Sequence, residues 1–258
     1  MHNNKIKVED IYLYIDSFAP FSSAMEFDNV GLLVGNKEKE VTHILMCLDI
    51  TRNAVAEAVN KHAELIISHH PVIFNPLKSI SSDSAVYDLC KNEIDAICAH
   101  TNLDAANGGV NDVLCELIGL KDTEIWTPEN IGRIGYTDSN MADFAKLVAD
   151  KLEINHVNYI DCGKRIRKVA VMGGSGGGDI AFAIASGADT LLTGEMKHSQ
   201  YIEAKEKGLN VVAAGHFNTE YPVIPSLHEK IREKFPEINV TLFKEPSYMC
   251  YSVPVINN

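Results

Sequence analysis

Three short apolar runs in this chain each end in residues that bind divalent metals. His69 and His70 follow ELIIS, His100 and Asp104 follow IDAICA, and His216 and Glu220 follow NVVAAG. In both AHTNLD and GHFNTE the carboxylate stands four residues after the histidine. Singly, each has a plainer role. A lone histidine after a strand is usually structural, Asp104 suits a helix N-cap, and Glu220 suits the first turn of a helix, where the dipole favours an acid. Together they suit metal. Imidazole with carboxylate, and without thiolate, fits Zn, Fe, Mn, Co or Ni rather than a structural zinc. Two ions ~3.5–4 Å apart need a shared oxygen donor, which a carboxylate provides, and such a pair polarises a substrate and activates water. The chemistry indicated is hydrolysis. It takes two divalent ions per subunit on His69, His70, Asp104, His216 and Glu220, with His100 as the catalytic proton carrier, because imidazole titrates near neutral pH.

For these donors to meet, the runs before them must be strands whose ends share one region. In open α/β sheets, sites form in the crevice outside the carboxyl ends of the strands. Adjacent strand side chains point to opposite sides, so His69 and His70 converge only where the backbone turns. Pro71 pushes His70 out of helical geometry and towards such a turn.

The pattern supplies the strands. Val8, Ile11, Tyr12, Ile15 and Phe18 are spaced for a helix over 8–18, which Pro20 closes. Strands are expected at 41–51, 63–68 and 94–99, with helices at 52–62 and 84–92 between them. A second run has helices at 141–152, 179–186, 198–207 and 223–235, and strands near 157–161, 167–172, 188–193, 210–215 and 239–245. Strands alternating with helices indicate α/β architecture. We expect two similar α/β domains with mostly parallel or mixed sheets and flanking helices. The turn-rich stretch 121–140, with Pro128, Gly132 and Gly135, marks the boundary. Residues 1–125 plus 210–258 would form the metal-binding domain and 126–209 an inserted one. The halves also echo each other from residues 44 and 169 onward, which suggests a duplicated unit.

Composition narrows the function classes. A hydrophobic share of 46% in 258 residues is ample for packed cores, and a net charge of −12 argues against nucleic-acid or anionic-membrane partners. The six cysteines form no C-x-x-C pair and read as reduced, mostly buried thiols. With no signal-peptide pattern and no long apolar run, a soluble cytoplasmic protein is expected.

Other features read as structural. MGGSGGGD (172–179) lies between a strand and a helix, where a tight turn is favoured over a phosphate cradle. It also fits G-x-S-x-G around Ser175, a weak signal for a nucleophile. Glu195 and His198 suit a surface or capping role better than a second metal site. Asp49 and Asn29 are lower-ranked candidates for lining the pocket.

EFDNVGLLVG (26–35), CLDIT (47–51), IISHHPVIF (66–74), AHTNLDAANGGVND (99–112) and GHFNTEYP (215–222) together resemble the Nif3-like dinuclear metal-centre family, over the whole chain. The resemblance implies two α/β domains and a homohexameric ring. It also implies that His70 and Asp104 hold one ion, His69 and His216 the other, and Glu220 bridges them. His100 matches a histidine close to that centre. Many members are described as GTP cyclohydrolase 1 type 2 homologs, which implies a nucleotide or similar phosphorylated substrate. Two rival readings use the same ligands: a non-enzymatic metal-binding or regulatory ring, and a two-metal nuclease, against which the net charge speaks.

Overall fold

A computed structural model describes residues 5–127 and 129–245. Its strands are β1 (Gly31–Val34), β2 (His43–Cys47), β3 (Leu65–Ser68), β4 (Asp95–Cys98), β5 (Lys121–Ile125), β6 (Arg133–Ser139), β7 (Asn158–Ile160), β8 (Ile166–Met172), β9 (Thr190–Thr193), β10 (Asn210–Ala213) and β11 (Asn239–Leu242). They form two sheets, ordered β1-β4-β3-β2-β11 and β5-β6-β8-β9-β10-β7. The first is parallel except at β1, and the second is mixed around a parallel β8-β9-β10 centre. All residues of β3, β4, β9 and β10 are buried. That is why these strands read as unbroken apolar runs, since a parallel strand covered on both faces has no solvent side to alternate towards.

The helices are α1 (Val8–Phe18), α2 (Arg52–Asn60), α3 (Ala85–Lys91), α4 (Thr101–Ala105), α5 (Val110–Leu117), α6 (Met141–Lys151), α7 (Ile180–Ala185), α8 (His198–Glu206), α9 (His216–Glu220) and α10 (Val223–Lys234). Ile11, Ile15, Ile224, Leu227 and Ile231 of α1 and α10 cover one face of the first sheet, and Val55, Ala58 and Leu89 of α2 and α3 cover the other. In the second sheet, Leu114, Phe144 and Val148 of α5 and α6 cover one face. Ile180, Ala183 and Ala204 of α7 and α8 cover the opposite face. The expected α/β architecture with flanking helices is present. The parallel triplets β2-β3-β4 and β8-β9-β10 have the same order in their sheets.

The stretch 121–140, where the domain boundary is expected, carries β5 and β6, an antiparallel pair. All five residues of β5 are exposed, so no apolar pattern announced it. The second sheet also draws strands from both sides of the expected 126–209 segment, namely β5 before it and β10 after it. Among the described residues, no helix is long and apolar enough to cross a membrane. Cys47, Cys98 and Cys115 are buried free thiols, Cys90 is exposed, and Cys250 lies outside the described residues. Burial pushes the Cys115 thiol up to about 12.

Polar straps join the sheets. The Arg133 guanidinium, on β6, is 3% exposed and pairs with Asp112 of α5. It also donates to the carbonyls of Ala105 and Ala106 at the end of α4 and of Asn130 before β6. Asn111 donates to Ile131 O and accepts from the Gly173 amide after β8. Arg133→Met would leave Asp112 and several carbonyls without their donor. It is expected to lower unfolding stability by about 3 kcal/mol, read from the urea midpoint.

Candidate metal centre

Six parallel strands, three from each sheet, point their carboxyl ends at one region. Asp49 follows β2, His69 and His70 follow β3, and His100 follows β4, with Asp104 on α4. From the second sheet come Gly173 and Gly174 after β8, Glu195 after β9, and His216 and Glu220 on α9. Strand pairing ends at Ser68. The Ser68 hydroxyl then donates to His70 O, and the His70 amide reaches Leu48 O, so the backbone turns at the two histidines. Both rings therefore face the same space, with centroids 5.0 Å apart.

Each of the four imidazoles has its Nδ1 against an oxygen. His69 Nδ1 is 2.9 Å from the Ala99 carbonyl, and His70 Nδ1 is 2.6 Å from Asp49 Oδ1. His100 Nδ1 is 2.9 Å from Asp28 Oδ1, and His216 Nδ1 is 3.1 Å from Glu195 Oε1. Carbonyl and carboxylate oxygens accept, so each Nδ1 carries a proton and each Nε2 is turned into the site.

Those Nε2 atoms converge on carboxylates. His70 Nε2 and His216 Nε2 lie 2.9 Å and 3.1 Å from Glu220 Oε2. His69 Nε2 lies 3.7 Å from Asp104 Oδ1 and 3.9 Å from Glu220 Oε1. The resemblance pairs His70 with Asp104 and His69 with His216. By distance, Asp104 is beside His69, and His70 and His216 share one Glu220 oxygen. His69 Nε2 is buried and has no hydrogen-bond partner, whereas Glu220 Oε2 is ion-paired with His70 and His216. Nitrogen donors of His69, His70 and His100 lie within 4.8 Å of one another, as do the donors of His70, His216 and Glu220. All five expected ligands and His100 are thus in one cluster, and its donors fit a divalent cation.

The electrostatics follow from burial and pairing. Burial lowers His69 to about 3. Burial also works against the charge on His70, but Asp49 and Glu220 outweigh it and raise the ring to about 10. Glu220 raises His216 to about 9. Burial and the charge of Glu220 push Asp104 well up, while His216 and His70 hold Glu220 well below the usual carboxylate range despite its burial.

Some site residues escaped the sequence reading. Asp28, in EFDNVG, has a fully enclosed side chain that accepts from His100 and from both the amide and hydroxyl of Thr101. Burial would raise its carboxyl, yet these donors hold it at about 2. Asp49 orients a ligand-type histidine rather than merely lining the pocket, and Asn29 donates to Ile73 O. Glu195 turns to His216, not to His198, and takes the Ser175 hydroxyl as a donor. That hydroxyl has no imidazole partner among the described residues, which removes the case for a serine nucleophile. The glycine loop closes over the centre: a Cβ on Gly174, at φ +60°, would come within 2.1 Å of Glu220 Oε1.

Comparison with known proteins agrees with this fold. The model of the Duf34/NIF3 (NGG1p interacting factor 3) family matches residues 6–247. The chain belongs to this family. It is 35% identical over 242 residues to a GTP cyclohydrolase 1 type 2 homolog of Clostridium perfringens, covering 89% of this chain and 92% of that one. A homolog of the same name in Methanocaldococcus jannaschii is 31% identical over 224 residues, covering 83% and 90%. Among solved structures, Staphylococcus aureus hypothetical protein SA1388 superposes with a TM-score of 0.88 at 28% identity, covering 96% and 100% of the two chains. Reduced HcgD from Methanocaldococcus jannaschii gives 0.84 at 28% identity, covering 92% and 98%.

Gly174→Ala is expected to displace Glu220 and cut bound metal at least severalfold while the circular dichroism spectrum is kept, as measured by plasma mass spectrometry on gel-filtered protein. Asp28→Asn removes a carboxylate held near 2 against an ordinary 3.8, so at pH 7 it should cost about 2 kcal/mol. Because the folded value is depressed, wild type keeps this stabilisation above about pH 4 and loses it as pH falls towards 2. Urea unfolding of both proteins from pH 7 to pH 3 should show the gap narrowing only at the acid end.

Proposed function

We infer that the chain is a dinuclear metal-dependent hydrolase acting on a nucleotide or related phosphorylated small molecule. The observation that carries this reading is the buried, unpartnered Nε2 of His69, on a ring that burial holds neutral, facing Asp104 and Glu220 at the heart of the cluster. A buried lone pair facing carboxylate oxygens is costly without a partner, and a cation turns that repulsion into coordination. The all-nitrogen-and-oxygen donor set fits Zn, Fe, Mn, Co or Ni. Two such ions, bound by His69, His70, Asp104 and His216 with Glu220 between them, would supply Lewis acidity and acidified water.

The chain's own groups do the rest. Ala99 O, Asp49 and Glu195 fix the orientation of three imidazoles, which spares the site reorganisation when charge develops. His100, oriented by its contact with Asp28, would carry the proton between water and a leaving group. The relatives named GTP cyclohydrolase 1 type 2 homolog support a nucleotide substrate. Free thiols support a reducing, cytoplasmic setting. A non-enzymatic metal-binding ring of six copies is the second reading. It is favoured by the wholly exposed edge strand β5, whose outer backbone groups another copy can pair.

Glu220→Ala and His70→Ala should each lose bound metal and reduce turnover at least about a hundredfold with the fold intact. Metal analysis, followed by a nucleotide and phosphoester panel with each metal, decides. Undiminished turnover by metal-stripped protein refutes the hydrolase reading, and tight binding of metal with no turnover anywhere in the panel favours the ring.

A further inference from the structure

Beside the candidate centre two phenyl rings stand in solvent. Phe27 is 63% exposed and Phe74 44%, with centroids 6.3 Å apart and planes inclined at 45°. Polar bonds hold them there. Phe27 precedes Asp28, which is anchored beneath His100 and Thr101. The next residue, Asn29, donates to Ile73 O at 2.6 Å, immediately before Phe74. Three consecutive residues therefore present a ring, fix the proton carrier and clamp the loop that bears the second ring. Side chains that the hydrophobic effect would otherwise bury are kept out of the core. The Phe74 ring meets His100 edge-on, at 6.5 Å and 76°. His100 in turn is 5.0 Å and 5.6 Å from the rings of His69 and His70.

We propose that Phe27 and Phe74 are a stacking platform for a flat heteroaromatic ring, of the nucleobase class, held against His100 at the mouth of the metal centre. The proposal rests on the hydrolase reading and narrows its substrate to a molecule that carries such a ring. A flat π-face displaces water from exposed phenyl surface whatever polar groups line its edge, so stacking selects for the ring itself. The position is specific: a ring laid on Phe74 is next to His100, which touches the ligand histidines. The same loop borders a cavity of about 470 Å³ lined by Asp49, His70, Leu77 and Ile80, which leaves room for the remainder of the molecule.

The test measures binding of guanosine monophosphate and ribose 5-phosphate to metal-loaded protein by calorimetry. The two probes share sugar and phosphate and differ in the base. The base is expected to tighten binding about tenfold or more. A Phe27→Ala, Phe74→Ala double variant should bring that ratio close to one with ribose 5-phosphate affinity unchanged, and a double Tyr variant should keep it. Equal binding of the two probes to wild type, no binding of the nucleotide, or an undiminished ratio in the Ala variant overturns the platform. Dissociation of an oligomer in the Ala variant, read by light scattering, also overturns it, because the rings would then be an interface between copies. Base-selective binding without turnover of any substrate upholds the platform and removes the hydrolase reading. Turnover of phosphoesters without base preference does the reverse.

Discussion

The centre depends on one constraint: four imidazoles whose Nδ1–H groups are each committed to an oxygen. The acceptors are the Ala99 carbonyl and the carboxylates of Asp49, Asp28 and Glu195. Commitment of Nδ1 sets the ring plane and aims Nε2 into the site. With Glu220 and Asp104 beside them, these nitrogens form a concave array of donor atoms in which His69 Nε2 is left without a hydrogen bond. Buried groups of this kind are expensive unless something positive binds among them.

The fold exists, in this sense, to bring six strand ends together. Each sheet contributes a parallel triplet with carboxyl ends facing the other, and the strap from Arg133 to the carbonyls of Ala105 and Ala106 ties β6 of the second sheet to α4 of the first. The first sheet supplies His69, His70, His100 and Asp104, and the second supplies His216 and Glu220. Neither half holds the full donor set. Gly174 shows how close the approach is, since even a methyl group there would collide with Glu220.

Much of this was readable from residue order. Unbroken apolar runs gave away the buried strands, and donors placed directly after them gave away the cluster, because strand ends are where α/β folds build sites. What stayed hidden has physical reasons. β5 is exposed along its whole length and carries no apolar signature. The Ala99 carbonyl is backbone and has no residue-type signal at all. Asp28 and Glu195 are ordinary acids in the sequence and gain a role only through contacts 72 and 21 residues away. Asp28 had a faint signal in lying between the aromatic Phe27 and Asn29 of a matched motif. Sharing of the Glu220 oxygens could not be read from spacing, since it depends on how α9 meets the turn after β3.

Anomalous diffraction from crystals of protein purified without chelators tests the central claim most directly. The account predicts two peaks ~3.5–4 Å apart, bounded by Nε2 of His69, His70 and His216, by Asp104, and by Glu220 between them. A well-ordered crystal with no anomalous peak among these side chains, after soaking in divalent metal, would contradict it.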